Sequence, residues 1–567
     1  MPHLIIALLA LGIAAAQAGI GGVKLLYSLP AYGLIGLAAL CSLFEPPRHI
    51  STGTRNLCLA TTIGMAAWVL GRSYFAPVDY LARHDLFMTL GTVTVYLLAS
   101  IFLTGTRSRH VLLTILLICA AAHLACGVVQ FHSSSGHYMF FSSWIEQTGY
   151  KGRATGFYLN PNHLAGLLEM LGLMAASLAC WSSWRLVTRM IAGYAALLCF
   201  IGVALTGSRG GYVSTLTGMI VLAAMSLFVI RKLRPVQFWP SLVAVLLLFS
   251  AAVGGGATLM LKSQNLQDRK TGIFDAKRMR VVRWEAALKQ FALSPVVGTG
   301  AGTYLLYGSH FRTAPVEGET AHVRNDYLEL LCEYGVVGAL VMFLFLGVHL
   351  QNGIIGFRRI LRELEDVGWG MLNDELALLL GALAAISALL VHSALDSNLH
   401  VPGNALVVAF LFSIIAAPTI ETLLPEETAG SFTMHWLRFL APAIGLYLLV
   451  VGTPRVEGEF YADYAERELR AKEYTSAVRC AEGGVAVEKR NPYLFYFLGK
   501  ARYLLGRDGE SDAGEDAQES REALHTLNAG LELFPPDLRR LQAPPDGLAT
   551  TQLRAIREHR DAPDPAP

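Results

Sequence analysis

The sequence predicts an all-α polytopic membrane protein with about 12–13 transmembrane helices, followed by a C-terminal α-helical, repeat-like domain. Three observations predict it. The 567 residues are 53% hydrophobic and only 16% charged, with a mean hydropathy of +0.45, whereas an ordinary soluble domain carries about 25% charged residues. The apolar residues come in blocks of roughly 17–23, long enough to cross a hydrocarbon core of about 30 Å as helix. The loops between the blocks alternate between basic and non-basic. The net charge of +2 is close to neutral and carries no information about nucleic acid, and no nucleic-acid partner is expected.

The blocks lie at about 3–22, 27–44, 56–71, 86–104, 111–130, 162–181, 189–206, 211–230, 239–261, 333–352, 373–394, 404–423 and 435–452. Arg48/Arg55, Arg107/Arg109, Arg185/Arg189, Arg231/Lys232/Arg234 and Arg358/Arg359/Arg362 then all fall on one side, which the positive-inside rule makes cytoplasmic. The 131–161 loop, the turn at Arg209, the long loop of about 262–332 and the turn at His400 fall on the other. An odd number of spans puts the C-terminal segment on that second side as well. Two regions follow: a membrane domain, 1–452, and a soluble helical domain, 453–567. The block Leu4–Ala18 has no basic n-region and reads as a first span rather than a cleaved signal. The eight cysteines form no CxxC or Cys/His metal spacing and no disulfide framework.

From about residue 453 the chain turns charged and reads as helix pairs. Tyr474, Ala477, Ala481 and Pro492, then Tyr496, Gly499, Ala501 and Gly506, resemble a tetratricopeptide repeat, with REALHTLNAGLELFPPDL as part of a second. The alternative is a generic helical hairpin. Asp561–Pro567 reads as disordered.

Four polar constellations fall on the second side. In KGRATGFYLNPNHLAG, Asn160 or Asn162 caps the next helix, and Arg153 lies just before it. The asparagines act either as caps alone or also as ligands, and Arg153 either snorkels or reaches a substrate. In LTGSRGGYVS, Arg209 stands among glycines that allow close backbone approach, and a guanidinium there suits a phosphate by bidentate pairing. It could equally contact lipid headgroups. The long loop carries an amphipathic helix at about 279–292 and the turn Gly298–Gly302; GTGAG has no preceding strand and is not a dinucleotide loop. That loop ends in AHVRNDYLELLCEYGVVGAL, with His322 and Arg324 at the mouth of an apolar helix. The fourth site, HSALDSNLHVPGN, holds His392, Asp396, Asn398 and His400, and Glu169 sits inside a span, either facing a cavity or near the interface.

In the order RATGFYLNPNHLA, TGSRGGY, RWEAALKQFALSPVVGTGAGTY and RNDYLELLCEYGVVGAL, the chain resembles the O-antigen ligase/polymerase superfamily over about residues 30–425. The resemblance implies a GT-C-like helical enzyme without metal ion or other cofactor. Such enzymes transfer a glycan from undecaprenyl pyrophosphate to an acceptor hydroxyl: lipid A-core for ligases, another lipid-linked glycan for polymerases, or protein Ser/Thr. The family's arginines, by position Arg153 and Arg209, hold the pyrophosphate. The family's His-Asn, nine residues, Gly-x-x-Gly pattern is met by Asn325, Gly335 and Gly338, but Arg324 stands where the histidine is expected. An arginine cannot serve as general base at neutral pH. Either His322 supplies the imidazole, or Arg324 adds a phosphate contact and the base lies elsewhere or is unnecessary, or transfer has been lost.

The candidate catalytic residues are thus His322, Arg324 and Arg209. The candidate substrate-binding residues are Arg153, Arg209, Asn160, Asn162, Asn325, Tyr327, Gly335, Gly338, His392 and Asp396. The leading reading is an inner-membrane, ligase-like glycosyltransferase. Its partners would be membrane lipids, the lipid-linked donor, an acceptor and a protein bound by the C-terminal helices. The alternatives are a polymerase or protein O-oligosaccharyltransferase, a lipid-linked glycan transporter, or a non-catalytic scaffold working through its C-terminal domain.

Overall fold

A computed structural model describes residues 1–46, 53–132, 150, 152–262, 273–312, 322–367, 372–417, 433–508 and 513–534, and no strand occurs among them. Arg48, most of the 131–161 loop and Asp561–Pro567 lie outside the described residues.

Each of the thirteen apolar blocks falls on a helix: α1 (Pro2–Ala18), α2 (Leu25–Cys41), α3 (Gly53–Tyr74), α4 (Asp79–Leu97), α5 (Thr106–His132), α6 (Pro161–Trp181), α7 (Leu186–Thr206), α8 (Arg209–Leu233), α9 (Phe238–Lys262), then, after two loop helices, α12 (Asp326–Val367), α13 (Asp374–Ser393), α14 (Pro402–Ala416) and α15 (Thr433–Gly452). Eight are long and apolar enough to cross a membrane by length and composition, nine if the pair bent by 48° at residues 453–454 counts as one span. Among the described residues the others give shorter or more polar stretches. All fifteen residues of α14 are buried among other helices, so it need not meet lipid by itself. Broad rows of exposed apolar side chains, such as Met190, Ile191 and Tyr194 on α7 and Leu340, Phe343 and Leu344 on α12, are what a lipid-facing surface requires. The chain is a multi-pass membrane protein.

Tertiary contacts sort the helix ends into two faces. At one, Arg55 donates to the Ser100 carbonyl (2.9 Å) and Arg109 to that of Ala417 (2.7 Å), and Lys232 pairs with Glu365 (2.9 Å). The described basic clusters predicted above to share one side lie at this basic end. At the other, Arg72 donates to the Gly298 carbonyl (2.9 Å), Gln130 to that of Gly156 (2.8 Å), and the Ala154 amide to that of Leu205 (3.1 Å). All four polar constellations gather at this second end.

The long loop supplies α10 (Ile273–Phe291) and α11 (Tyr304–Phe311) and locks onto α12 through a helix break. Gly335 has φ +70°, which interrupts α12 after its first turns. The amides of Val336 and Val337 then donate to the carbonyls of Pro295 and Val296, while those of Cys332 and Glu333 accept from Thr299 and Gly300. The break thus exchanges helical hydrogen bonds for bonds to the Gly298–Gly302 turn, leaving these backbone groups satisfied. A Cβ on Gly335 would sit 2.4 Å from the Val296 carbonyl oxygen, and one on Gly298 would sit 2.2 Å from that of Glu333. Gly335→Ala is therefore expected to destabilise the protein by about 2–4 kcal/mol, read as a lower unfolding temperature in detergent. Gly64→Ala, with nothing within 4 Å of the added atom, is the control and should not move it.

After α15 the chain forms an antiparallel series, α16 (Arg455–Ala471), α17 (Tyr474–Val487), α18 (Pro492–Asp508) and α19 (Ala513–Glu532), the helix pairs that the charged C-terminal sequence predicts. Ala465, Ala477, Ala481 and Ala501 are fully buried between them. The series docks on the polar end of the bundle: Lys24 pairs with Asp463 (2.7 Å) and Glu466 (2.8 Å), and Arg83 with Glu488 (3.2 Å).

Candidate active site

The site is set into the polar end, where the ends of α6, α7, α8, α12, α13 and α14 meet. The turn 394–401 dips into the bundle, so Asp396 and Asn398 are buried although they belong to a loop. Asn160 caps α6, its side chain accepting from the Asn162 amide at 2.9 Å, which leaves the Asn162 side chain for other work. That side chain accepts from Arg153 (3.2 Å) and donates to Asp396 in a short hydrogen bond. Arg324 donates to the other Asp396 oxygen at 3.2 Å. One carboxylate thus ties together Arg153, Asn162 and Arg324, groups 234 and 72 residues from it at the last two.

Burial alone would raise the Asp396 carboxyl, but the Arg324 guanidinium and the Ser397 amide outweigh it and hold it well below the usual carboxylate range. Asp396 in turn holds Arg324 above the ordinary arginine value, against its burial. Asp396→Asn keeps the shape, yet leaves Arg324 without its acid and is expected to cost about 3 kcal/mol of stability in thermal unfolding. Because the folded carboxyl is depressed, this contribution is present above the ordinary carboxylate range and is lost only as pH falls through the depressed value. The wild-type-to-variant difference should therefore persist at pH 5.

Arg324 itself has φ +63°, a conformation unusual for a residue with a side chain. Its amide donates to the Ser397 hydroxyl at 3.0 Å, fixing the turn and aiming the guanidinium at Asp396. Two residues earlier, His322 shares a 2.6 Å hydrogen bond between Nδ1 and Glu329, and Glu329 also accepts from the Val323 amide (2.9 Å). His400 faces the same carboxylate: Nδ1 bonds Asp326 (2.9 Å), Nε2 lies 3.5 Å from Glu329, and the His322 and His400 rings are 4.9 Å apart. Burial opposes protonation of His400, but the Glu329 charge and the Asp326 hydrogen bond outweigh it and hold its imidazole well above the usual histidine value. This row offers one histidine oriented by a carboxylate, the arrangement a general base needs. The ligand atoms of His322, Glu329 and His400 also all lie within 4.8 Å of one another, a spacing that a divalent cation could use.

The remaining predicted residues are distributed as follows. Arg209, first residue of α8, is exposed at the rim, with Ser208 capping the helix by accepting from the Gly211 amide (3.1 Å). Arg153 is buried rather than snorkelling, and donates to the Thr206 carbonyl (2.7 Å) in the strand of chain leading to Arg209. His392 and Glu169 form a fully buried pair (3.0 Å) with Ser214, inside the bundle rather than facing a cavity or at its mouth. Asn325 caps α12 through the amides of Tyr327 and Leu328, and the Tyr327 hydroxyl donates to the Leu390 carbonyl (2.7 Å). Gly335 lies at the helix break, and Gly338 packs where a Cβ would meet Trp68 Nε1 at 2.8 Å.

Sequence reasoning missed Asp326 and Glu329. Their i, i+3 spacing on the first turn of a helix, directly after His322, was the available signal. It also missed Arg283, on the inward side of α10. Burial and the neighbouring Arg324 cation push its guanidinium below the ordinary value, and its Nε has no hydrogen-bond partner among the described residues. An apolar cavity of about 230 Å³ between α3, α4, α12 and α14, lined by Met65, Met88, Met342, Phe345 and Phe412, ends at Asp326 and His400.

The polar end of this helical membrane bundle thus brings arginines and a histidine–carboxylate pair together at one mouth. Residues 194–343 match the family model for O-antigen ligase. The match supports a membrane glycan ligase or polymerase role, with a lipid-linked glycan donor and a glycan acceptor. It spans Arg209, Arg283, His322, Arg324 and the Gly335 break, and does not reach the C-terminal helices. No curated protein matches the chain.

Proposed function

We propose that this protein is an inner-membrane glycosyltransferase that moves a glycan from undecaprenyl pyrophosphate to an acceptor hydroxyl on the periplasmic side, in the manner of an O-antigen ligase. The observation that carries the reading is one juxtaposition. The His322–Glu329 pair stands beside the Arg324–Asp396 cluster, at the inner end of the apolar cavity that reaches His400. The cavity suits the start of a polyprenyl chain. Arg209 and Arg324, with Arg153 and Arg283 behind them, suit the pyrophosphate. The basic clusters at the opposite end support a cytoplasmic side there and a periplasmic side here.

In the proposed reaction the acceptor oxygen attacks the anomeric carbon of the donor while His322 takes its proton. The bond from that carbon to the pyrophosphate oxygen breaks, and the electron pair leaves on undecaprenyl pyrophosphate, stabilised by the fixed guanidinium groups. His400, already protonated against Asp326 and Glu329, keeps Glu329 aligned and leaves the base role to His322. This joins parts of two of the explanations for Arg324, His322 as base and Arg324 as a phosphate contact.

A strain deleted for the gene is expected to lose one surface glycan and to accumulate undecaprenyl-linked glycan, both reversed by the wild-type chain. An unchanged lipid-linked pool would sink the reading. Transfer by the purified protein is expected to survive dialysis against a chelator; loss that Zn²⁺ restores would reassign His322, Glu329 and His400 as metal ligands.

A further inference from the structure

A second cavity, of about 700 Å³, lies between the C-terminal helices and the polar end of the bundle. Ordinary small-molecule sites span roughly 300–1,000 Å³. Its membrane-domain wall includes Tyr80, His84 and Gly302, its C-terminal wall comes from α16 and α18, and His322 lines it. The apolar cavity approaches the same row of side chains and is lined by His400, and Asp85 lines both. With the two rings 4.9 Å apart, the two cavities meet at the residues that the transfer reading makes reactive. One is lined mostly by apolar side chains. The other mixes rings and charges.

We propose that this second cavity is the acceptor subsite, and that it takes the end of a saccharide chain, with the C-terminal helices as one wall. The inference rests on the transferase reading and adds the place where the acceptor binds and a role for residues 455–508. Tyr80, Tyr493, Tyr496 and Phe497 present aromatic surface, with the Tyr80 and Tyr493 rings edge-on at 5.7 Å. Rings stack on the C–H faces of a sugar, and Lys500, Asp463 and Glu466 in the same lining pair with its hydroxyls. A lipid chain would not tolerate those charges. An extended peptide would look for unpaired backbone groups, and both walls are largely helical, with their backbone bonds made internally.

The wall is also held in place. Lys24 bridges Asp463 and Glu466, Arg83 reaches Glu488, and the Tyr80 hydroxyl donates to Glu459 at 3.0 Å. At the far edge Phe534 packs against Val78 and Tyr307. A domain clamped at several points around a cavity is built to shape that cavity.

The test uses the full-length protein in its own cells, with Tyr496→p-benzoylphenylalanine as a photocrosslinker. Illumination is expected to yield an adduct that periodate oxidises and hydrazide labels, and that a protease leaves attached to a saccharide. The same probe at Leu446, on the lipid-facing side of α15, should give none. A polypeptide adduct at position 496, or no adduct in cells where the wild-type chain transfers glycan, overturns the proposal. In parallel, Tyr496→Ala is expected to lower surface glycan about tenfold, the worth of one good ring contact, and Tyr496→Phe to keep it near the parent level. Equal loss in both variants would also overturn the ring contact. Failure of the transferase reading looks different: Arg209→Ala and His322→Ala would then leave surface glycan intact, whatever is crosslinked at position 496.

Discussion

His322→Ala is expected to slow transfer by about 10²- to 10⁴-fold, the usual worth of a positioned general base, while leaving the protein inserted and the donor bound. The side chain is 37% exposed, and its one strong contact is to Glu329, which keeps a second partner in His400. Folding should therefore survive the change. The measurement is the rate of lipid-linked glycan consumption in membranes at equal protein level. His400→Ala should differ, because Glu329 and Asp326 favour the His400 imidazolium: removing it leaves the two carboxylates facing each other without that partner and lowers stability as well as rate. If His322→Ala transfers at the parental rate while His400→Ala does not, the base role moves to His400. The sign of the pH effect follows from the raised His400 value. The attraction within the His400–Asp326–Glu329 row is fully present below the ordinary histidine range and is lost as pH rises through the raised value, so stability should decline on the alkaline side and not near pH 6.

The second large effect is expected at Arg209. Arg209→Ala should reduce transfer by about 10²- to 10³-fold, the typical cost of removing one group that stabilises charge developing on a leaving oxygen. Arg209→Lys should recover part of it, because an ammonium keeps the charge but not the bidentate geometry. Arg209 is exposed at the start of α8, where Ser208 rather than Arg209 makes the cap, so neither variant should disturb the helix. Arg153 gives a less clean test. Its guanidinium donates to the Thr206 carbonyl and to Asn162, so Arg153→Ala removes structure together with any phosphate contact. Parental activity in Arg209→Ala, with normal insertion, would remove the pyrophosphate clamp from the mechanism.

Much of the architecture is legible in the sequence because a helix in lipid must satisfy its own backbone, and apolar length alone then reports a span. The same holds for the caps: Asn160 before Pro161 and Ser208 before Arg209 are local devices, readable within a few residues. The count of spans was less legible. α14 nests inside other protein, where composition no longer tracks the lipid, and α3 is more polar than a typical span. Gly335 and Gly338 read as part of a substrate motif, yet the positive φ of Gly335 lets α12 break and receive the Gly298–Gly302 turn, while Gly338 makes room for Tyr334 and Trp68. No local pattern announces that exchange of backbone bonds, because its two halves lie more than thirty residues apart.

The sequence by itself determined the class of protein, the alternation of its two faces, the grouping of reactive side chains on one of them, and the departure from the family pattern at Arg324. Only the tertiary structure decided how those side chains are used. It turned Arg324 toward Asp396, placed His322 against Glu329, buried His392 with Glu169, and brought the C-terminal helices over the mouth. The physical reason is range. Hydrophobic periodicity and capping act within one helix, whereas a buried charge must find its partner wherever the fold brings one, here across 72 residues for Arg324 and 223 for His392.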